Sequence, residues 1–310
     1  MFSLMVFSLL SALLSLSDAS SIPKSKATVC NGRAELCERP YGSVTYLTAH
    51  NSFGASKDIF ALARNQEIDV SAQLQMGVRA LQGQAHLKDG NLRFCHTDCA
   101  LFDGGLVVDY LKKVKAFLDV SPNEVVTLIF TNPDKQSIPG MWQPAFDGAG
   151  LTSLAYVPPS RTMKRSDWPT LGELIDSQKR VVVFLDEGAD GSDGGFVDFI
   201  LPEFQMIWED PFSPQNNTFP CKIDRTAGPL SDNDHMYLIN HNLNRNIIPI
   251  GDGVLLPDFA NAKNTNSAKS ILAHASNCAP FAEGRAPNFV LLDFVDIGES
   301  IKTVNQLNGF

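Results

Sequence analysis

Two histidines stand at the ends of apolar runs. His50 closes SVTYLTAH (43–50), and His96 lies near the end of NLRFCHT (91–97). An imidazole has an unperturbed pKa of about 6.5, so one neutral and one protonated ring can coexist near neutral pH as base and acid. A strand end beside a loop is where a rigid scaffold can hold such groups over an open site. A carboxylate, Asp293, follows the apolar FVLL (289–292). A carboxylate in that setting needs a partner. An imidazole N–H is a suitable one, because the contact fixes the tautomer and stabilises imidazolium. His50, His96 and Asp293 are therefore the candidate catalytic set. Asn51, Gln82, Gln84, Asp186 and His241 also end apolar runs and are the candidate substrate-binding set. Thr131, Asn132 and Glu187 have similar positions.

These residues need elements that bring them to one place. Strand-like runs are expected at 43–50, 77–86, 91–97, 124–132, 180–188, 235–243 and 288–296. In LVVDYLKKVKAFLDV (106–120), Leu106, Val107, Tyr110, Leu111, Val114, Phe117 and Leu118 recur at helical spacing. Further helices are expected at 170–178, with Thr170 and Glu173 as a capping box, and at 264–279. Alternation of strands and helices implies an α/β fold with a mainly parallel sheet. About eight strands with polar C-terminal ends point to an irregular TIM-type (β/α)8 barrel, whose function lies at the C-terminal mouth. An open doubly wound sheet is the alternative, but no glycine-rich phosphate loop follows a strand. No linker divides the chain, so residues 30–310 are read as a single domain.

The chain has 310 residues and a net charge of −9. That charge argues against a nucleic-acid partner and against long-range attraction to anionic membranes. The opening segment is apolar and ends in small residues, with Ser17 and Ala19 at the places of a cleavage site. It is read as a signal peptide over 1–19, which makes the protein secreted. Six cysteines in an exported chain suggest three disulfides, and local pairing gives Cys30–Cys37, Cys95–Cys99 and Cys221–Cys278. For Cys95, His96 and Cys99 a zinc cluster is the rival reading. Asn216-Asn217-Thr218 is a glycosylation sequon, which places Asn216 on the surface. His86, His235 and His274 are expected at the surface. Trp142, Trp168 and Trp208 are expected to pack beneath loops, and EGADGSDGG (187–195) to be a solvated loop.

Taken in order, TAHNSF, GVRALQGQAH, FCHTDC and NFVLLDFVDIG resemble the phosphatidylinositol-specific phospholipase C-like phosphodiesterase superfamily, and most closely its secreted fungal branch with an X-domain-like barrel. The resemblance implies a phosphoric diester hydrolase that cleaves a phosphoinositide or related phosphodiester. His50 would be the general base, His96 the general acid and Asp293 the carboxylate that orients the base. In the metal-dependent branch an Asn beside the first His joins acidic residues on the second strand. Asn51 fits, but Gln82 and Gln84 stand at the acidic places. Gln84 also stands where the metal-independent branch carries an Arg. No metal and no other cofactor is therefore expected, with a weak calcium or magnesium site left open. Lys135, Arg64 or another loop residue would neutralise the phosphate. The alternatives are a non-catalytic barrel that binds a headgroup and a sphingomyelinase D-like phosphodiesterase. The expected partners are a phospholipid or other phosphodiester substrate and, transiently, a membrane surface, with the protein a monomer.

Overall fold

The computed structural model describes residues 26–58, 60–192, 194–247 and 254–310. The expected signal peptide, 1–19, lies outside the described residues. The chain begins its sheet with β1 (Tyr46–Ala49), buried along its whole length. β2 (Ala80–Lys88) runs parallel to it and continues into an antiparallel meander with β3 (Asn91–Cys95) and β4 (Asp103–Leu106). β5 (Val126–Thr131), β6 (Val181–Leu185) and β7 (Ile200–Pro202) extend the sheet on one side. On the other side lie β8 (Ile207–Glu209) and β9 (Met236–Asn240). β10 (Asn244–Asn246) and β11 (Leu255–Pro257) pair with each other in a separate antiparallel ribbon. β12 (Phe289–Leu292) fits between β9 and β1.

The sheet order is β7-β6-β5-β2-β1-β12-β9-β8, with every neighbouring pair parallel. It is a curled parallel sheet of eight strands, the irregular barrel expected, with its seam at the two edge strands β7 and β8. Those two were not legible in the sequence: three residues each is too short for periodicity to show. β5 and β6 are legible because both faces are buried and Val, Ile and Phe fill them.

Seven α-helices accompany the sheet among the described residues: α1 (Val70–Met76), α2 (Val107–Val120), α3 (Gln143–Ala149), α4 (Leu171–Asp176), α5 (Ala262–Thr265), α6 (Ala268–Cys278) and α7 (Ser300–Leu307). α2 buries Val107, Tyr110, Leu111, Val114 and Leu118, the stripe its spacing set out. α4 carries the Thr170–Glu173 capping box. The single helix expected over 264–279 is instead two. Asn266 breaks it, donating its amide to the carbonyls of Asp293 and Phe294 at 2.8 and 3.0 Å, and Ser267 then caps α6.

Successive residues of a strand face opposite sides. Leu47, Leu128, Phe130, Val183, Trp208, Tyr237, Ile239 and Val290 pack in the core cluster that includes the helices' apolar stripes. Tyr46, Ile129, Phe184, Leu238, Phe289 and Leu291 form the other core cluster. Each such side chain stabilises the fold by about 1.5–3 kcal/mol when fully buried. His50 and Asp293 continue the parity of Tyr46 and of Phe289 and Leu291 beyond the ends of β1 and β12.

Candidate active site

His50 follows β1 directly, and its backbone N–H donates to Leu292 on the neighbouring strand at 2.9 Å. Its Nδ1 lies 2.8 Å from Asp293 Oδ1. An ionised carboxylate can only accept, so Nδ1 carries the hydrogen and Nε2 keeps its lone pair. Asn65 Nδ2 donates to the same carboxylate oxygen at 2.7 Å. Asn266 holds the Asp293 backbone from behind, while Asp293 Oδ2 is buried without a hydrogen-bond partner. Asn51 Nδ2 lies 3.2 Å from His50 Nε2, and the Asn242 amide lies 3.2 Å from Nδ1. Asn51 has φ 38°, a left-handed conformation that Asn tolerates better than most residues.

His96 comes from a different kind of strand end. β3 belongs to the antiparallel meander and not to the barrel, so the second imidazole is brought over the mouth from outside it. The loop that carries it is closed by the Cys95–Cys99 disulfide, and Cys30–Cys37 and Cys221–Cys278 are bonded as well. His96 Nδ1–H donates to the Ala63 carbonyl at 2.6 Å, so its Nε2 is the reactive atom. Burial lowers the His96 pKa, partly opposed by the Ala63 carbonyl. The rings of His50 and His96 are 6.4 Å apart and nearly perpendicular. Two hydrogen-bond reaches of about 3 Å span that gap, so one phosphodiester can touch both.

Both rings line a cavity of about 350 Å³. Gln82, Gln84, Thr131 and Asp186 line it too, each on the inward parity of its strand. Gln82 Oε1 accepts from Asn51 N at 2.8 Å, and Gln84 Oε1 accepts from Thr97 N at 2.7 Å. The two amides thus shape the loops bearing the histidines. Asp186 accepts from Asn132 N at 2.7 Å, and burial pushes its carboxyl up to about 6.

The far wall holds Glu203, Glu209, Arg225 and Asn240, none of them among the expected site residues. Burial first, and then the neighbouring charge of Glu209, raises the Glu203 pKa well above the ordinary range. Arg225 pairs with Glu209, and Asn240 Nδ2 donates to Glu209 at 3.2 Å. The Arg225 guanidinium lies 5.1 and 4.9 Å from the ring centres of Phe204 and Phe212. IWED (207–210), an apolar run ending in acids, was a readable signal for Glu209; Arg225 sits on a loop that carries no periodicity. Arg225 is the lysine or arginine that lines this cavity among the described residues. Lys135 instead pairs with Glu187 at 3.8 Å, and Arg64 is buried with its guanidinium 4.5 Å from the Phe259 ring centre.

Three histidine expectations need correction. His241 does not line this cavity. It lies on the opposite parity to Asn240 and Asn242, is fully buried, and its Nε2–H donates to Thr265 O at 2.8 Å. His274 is not at the surface: it is buried on α6 between His241, at 2.9 Å, and Asp210, at 2.8 Å. His235 is buried as well, against the Ser231 carbonyl.

A calcium ion would need carboxylates around Asn51. Asn51 Oδ1 is buried without a partner, but Gln82 and Gln84 are neutral and their oxygens already accept backbone hydrogen bonds. Asp186, Glu203 and Glu209 are engaged elsewhere, by Asn132, by each other and by Arg225. This donor set does not fit the metal-dependent arrangement.

The family model described as PI-PLC X 1 matches residues 36–308. This chain belongs to the PI-PLC X domain family. It is 41% identical over 303 residues to the PI-PLC X domain-containing protein 1 of Arthroderma benhamiae, covering 96% of this chain and 95% of that protein. A second protein of that fungus, called an uncharacterized secreted protein, is 41% identical over 285 residues, or 90% of this chain and 62% of its own length. Among solved structures, a variant of phosphatidylinositol-specific phospholipase C from Staphylococcus aureus superposes with a TM-score of 0.58 at 13% identity, covering 87% of this chain and 94% of that one. The fold of this X domain is thus the one that bacterial phospholipase shows.

Proposed function

We propose that this X domain is a secreted phosphoric diester hydrolase of the phospholipase C type. The observation that carries the reading is the Asp293–His50 pair facing His96 across one cavity. A headgroup hydroxyl adjacent to the phosphodiester is the nucleophile. His50 Nε2 takes its proton as the new P–O bond forms. The bond from phosphorus to the lipid-side oxygen breaks, and His96 gives that oxygen its Nε2 proton, leaving a cyclic phosphodiester. Water then opens the ring, with His96 taking the water's proton and His50 returning its own to the headgroup oxygen. Asp293 stabilises the His50 imidazolium. The far wall offers carboxyl, amide and guanidinium groups together, a mixture suited to a hydroxylated headgroup of the inositol kind.

Exposed apolar side chains stand on the loops beyond the strands' C-terminal ends: Phe60, 83% exposed, with Leu62, Leu101 and Phe212. They support transient contact with a lipid surface from which the substrate is drawn. Secretion is supported by the disulfides and by the relative called secreted. Asn216 is exposed, as glycosylation at the sequon would require, and its Oδ1 accepts from the Thr218 hydroxyl at 2.8 Å.

The test is release of water-soluble phosphate esters from vesicles carrying phosphoinositide, lysophospholipid or sphingomyelin, with and without chelator. Chelator-insensitive release from phosphoinositide that His50→Ala and His96→Ala each abolish is expected. Headgroup binding without release from any substrate would replace the hydrolase by a non-catalytic binder. Release that needs added calcium or magnesium would overturn the metal-free mechanism.

A further inference from the structure

A second pocket, of about 250 Å³, lies at the other end of the same strands that carry the active site. Thr45 and Asn288, which line it, immediately precede β1 and β12; His50 and Asp293 immediately follow them. Arg165 and Arg285 line this pocket, and no carboxylate does. Arg165 Nε and Arg285 Nη2 both donate to one carbonyl, that of Asn233, each at 3.2 Å. The two guanidinium groups are therefore neighbours. Among the described residues neither has a carboxylate within ion-pairing distance, whereas Arg79, Arg93 and Arg225 all do. The nearby Glu283 is instead held by Asn233 Nδ2 at 2.9 Å, and it acts on Arg285 more weakly than Arg165 does. Arg285 Nε is buried without a partner.

The backbone that carries each guanidinium group is anchored. A Cβ at Gly42 would lie 2.1 Å from the Arg165 carbonyl oxygen, which means the Arg165 backbone rests directly on that glycine. The Tyr237 hydroxyl donates to the Arg285 carbonyl at 2.6 Å. Two neighbouring guanidinium groups repel each other, and an anion that bridges them relieves that repulsion. Guanidinium forks match tetrahedral oxyanions, with several N–H donors each.

We infer that this pocket binds a compact oxyanion of the phosphate or sulfate class between Arg165 and Arg285. The inference stands apart from the proposed hydrolase activity.

The experiment is thermal unfolding in phosphate against chloride at equal ionic strength, for the full chain and three variants. His96→Ala reports on phosphate held at the mouth. Arg165→Ala/Arg285→Ala removes the second pocket's charge, and Arg285→Lys keeps the charge but not the fork. Phosphate at about a hundredfold excess over its Kd should raise the midpoint by about 4 °C in the unmodified protein and in His96→Ala. The rise should vanish in the double variant, and Arg285→Lys should need about tenfold more phosphate. No rise in the unmodified protein, a rise that survives in the double variant, or one lost only in His96→Ala would each overturn the site. Should the double variant fail to fold, Arg285→Lys and calorimetric titration of phosphate still decide it. Sedimentation with phosphatidic acid vesicles that depends on both arginines, without response to free phosphate, would overturn the free anion in favour of a lipid headgroup.

Discussion

At the scale of single residues, His96 feels two opposed influences. Burial disfavours its charged form more than the Ala63 carbonyl favours it. The imidazole should therefore titrate below about 6.5. Nitrogen chemical shifts of the ring measure this directly, and a midpoint at or above that value would remove burial as the dominant cause. As the proton donor of the proposed reaction, His96 is needed in its charged form. His96→Ala and His50→Ala should each lower kcat by about a hundredfold or more without unfolding the barrel. Asp293→Asn should lower kcat while leaving KM nearly unchanged, because the carboxylate acts on the imidazolium and not on bound substrate. The sequence revealed these three residues because each follows an apolar run. Asn65 and Asn266, which hold Asp293, lie outside such runs and left no comparable signal. The error at His241 has a specific cause. The end of a strand was taken as enough, but alternation puts His241 on the face away from Asn240 and Asn242. His274 could have been read correctly, since it shares a stripe with Ile271, Ala275 and Cys278 at helical spacing.

At the scale of elements, the site depends on loops tied to the scaffold by covalent bonds. Arg225 belongs to a long connection between β8 and β9, and the Cys221–Cys278 disulfide ties that connection to the end of α6. The bond closes a loop of 57 residues. In the chain-entropy picture such a bond stabilises by about 4 kcal/mol. Replacing both cysteines by serine should lower stability by roughly that amount. It should also raise KM more than it lowers kcat, because in the proposed reaction Arg225 and Glu209 contact the headgroup and not the reacting oxygen. Denaturant titration and steady-state kinetics on the same variant separate the two effects. Unchanged KM would detach Arg225 from the site. The pairing of the cysteines was legible from their spacing. The position of Arg225 was not, since nothing in a loop's sequence fixes where its side chain faces.

At the scale of the whole molecule, buried titratable groups give the fold a pH dependence with two opposed parts. Burial first, and then the charge of His274, lowers the His241 pKa to about 3. The unfolded chain, titrating near 6.5, binds this proton while the folded one does not. The His241 contribution is therefore fully present above about 6.5 and is lost as pH falls towards 3, at up to about 1.4 kcal/mol per pH unit. Asp186 works the other way. Its folded pKa of about 6 exceeds the unfolded value near 3.8, so its contribution is present below 3.8 and is lost as pH rises through 6. Denaturant midpoints measured from pH 4 to 7 for the unmodified protein, His241→Asn and Asp186→Asn should show this. Relative to the unmodified protein, His241→Asn should become more stable as pH falls, and Asp186→Asn more stable as pH rises. Parallel curves for His241→Asn would mean that this imidazole takes up its proton without opening the fold. Parallel curves for Asp186→Asn would mean that the cavity hydrates the carboxyl as well as bulk water does.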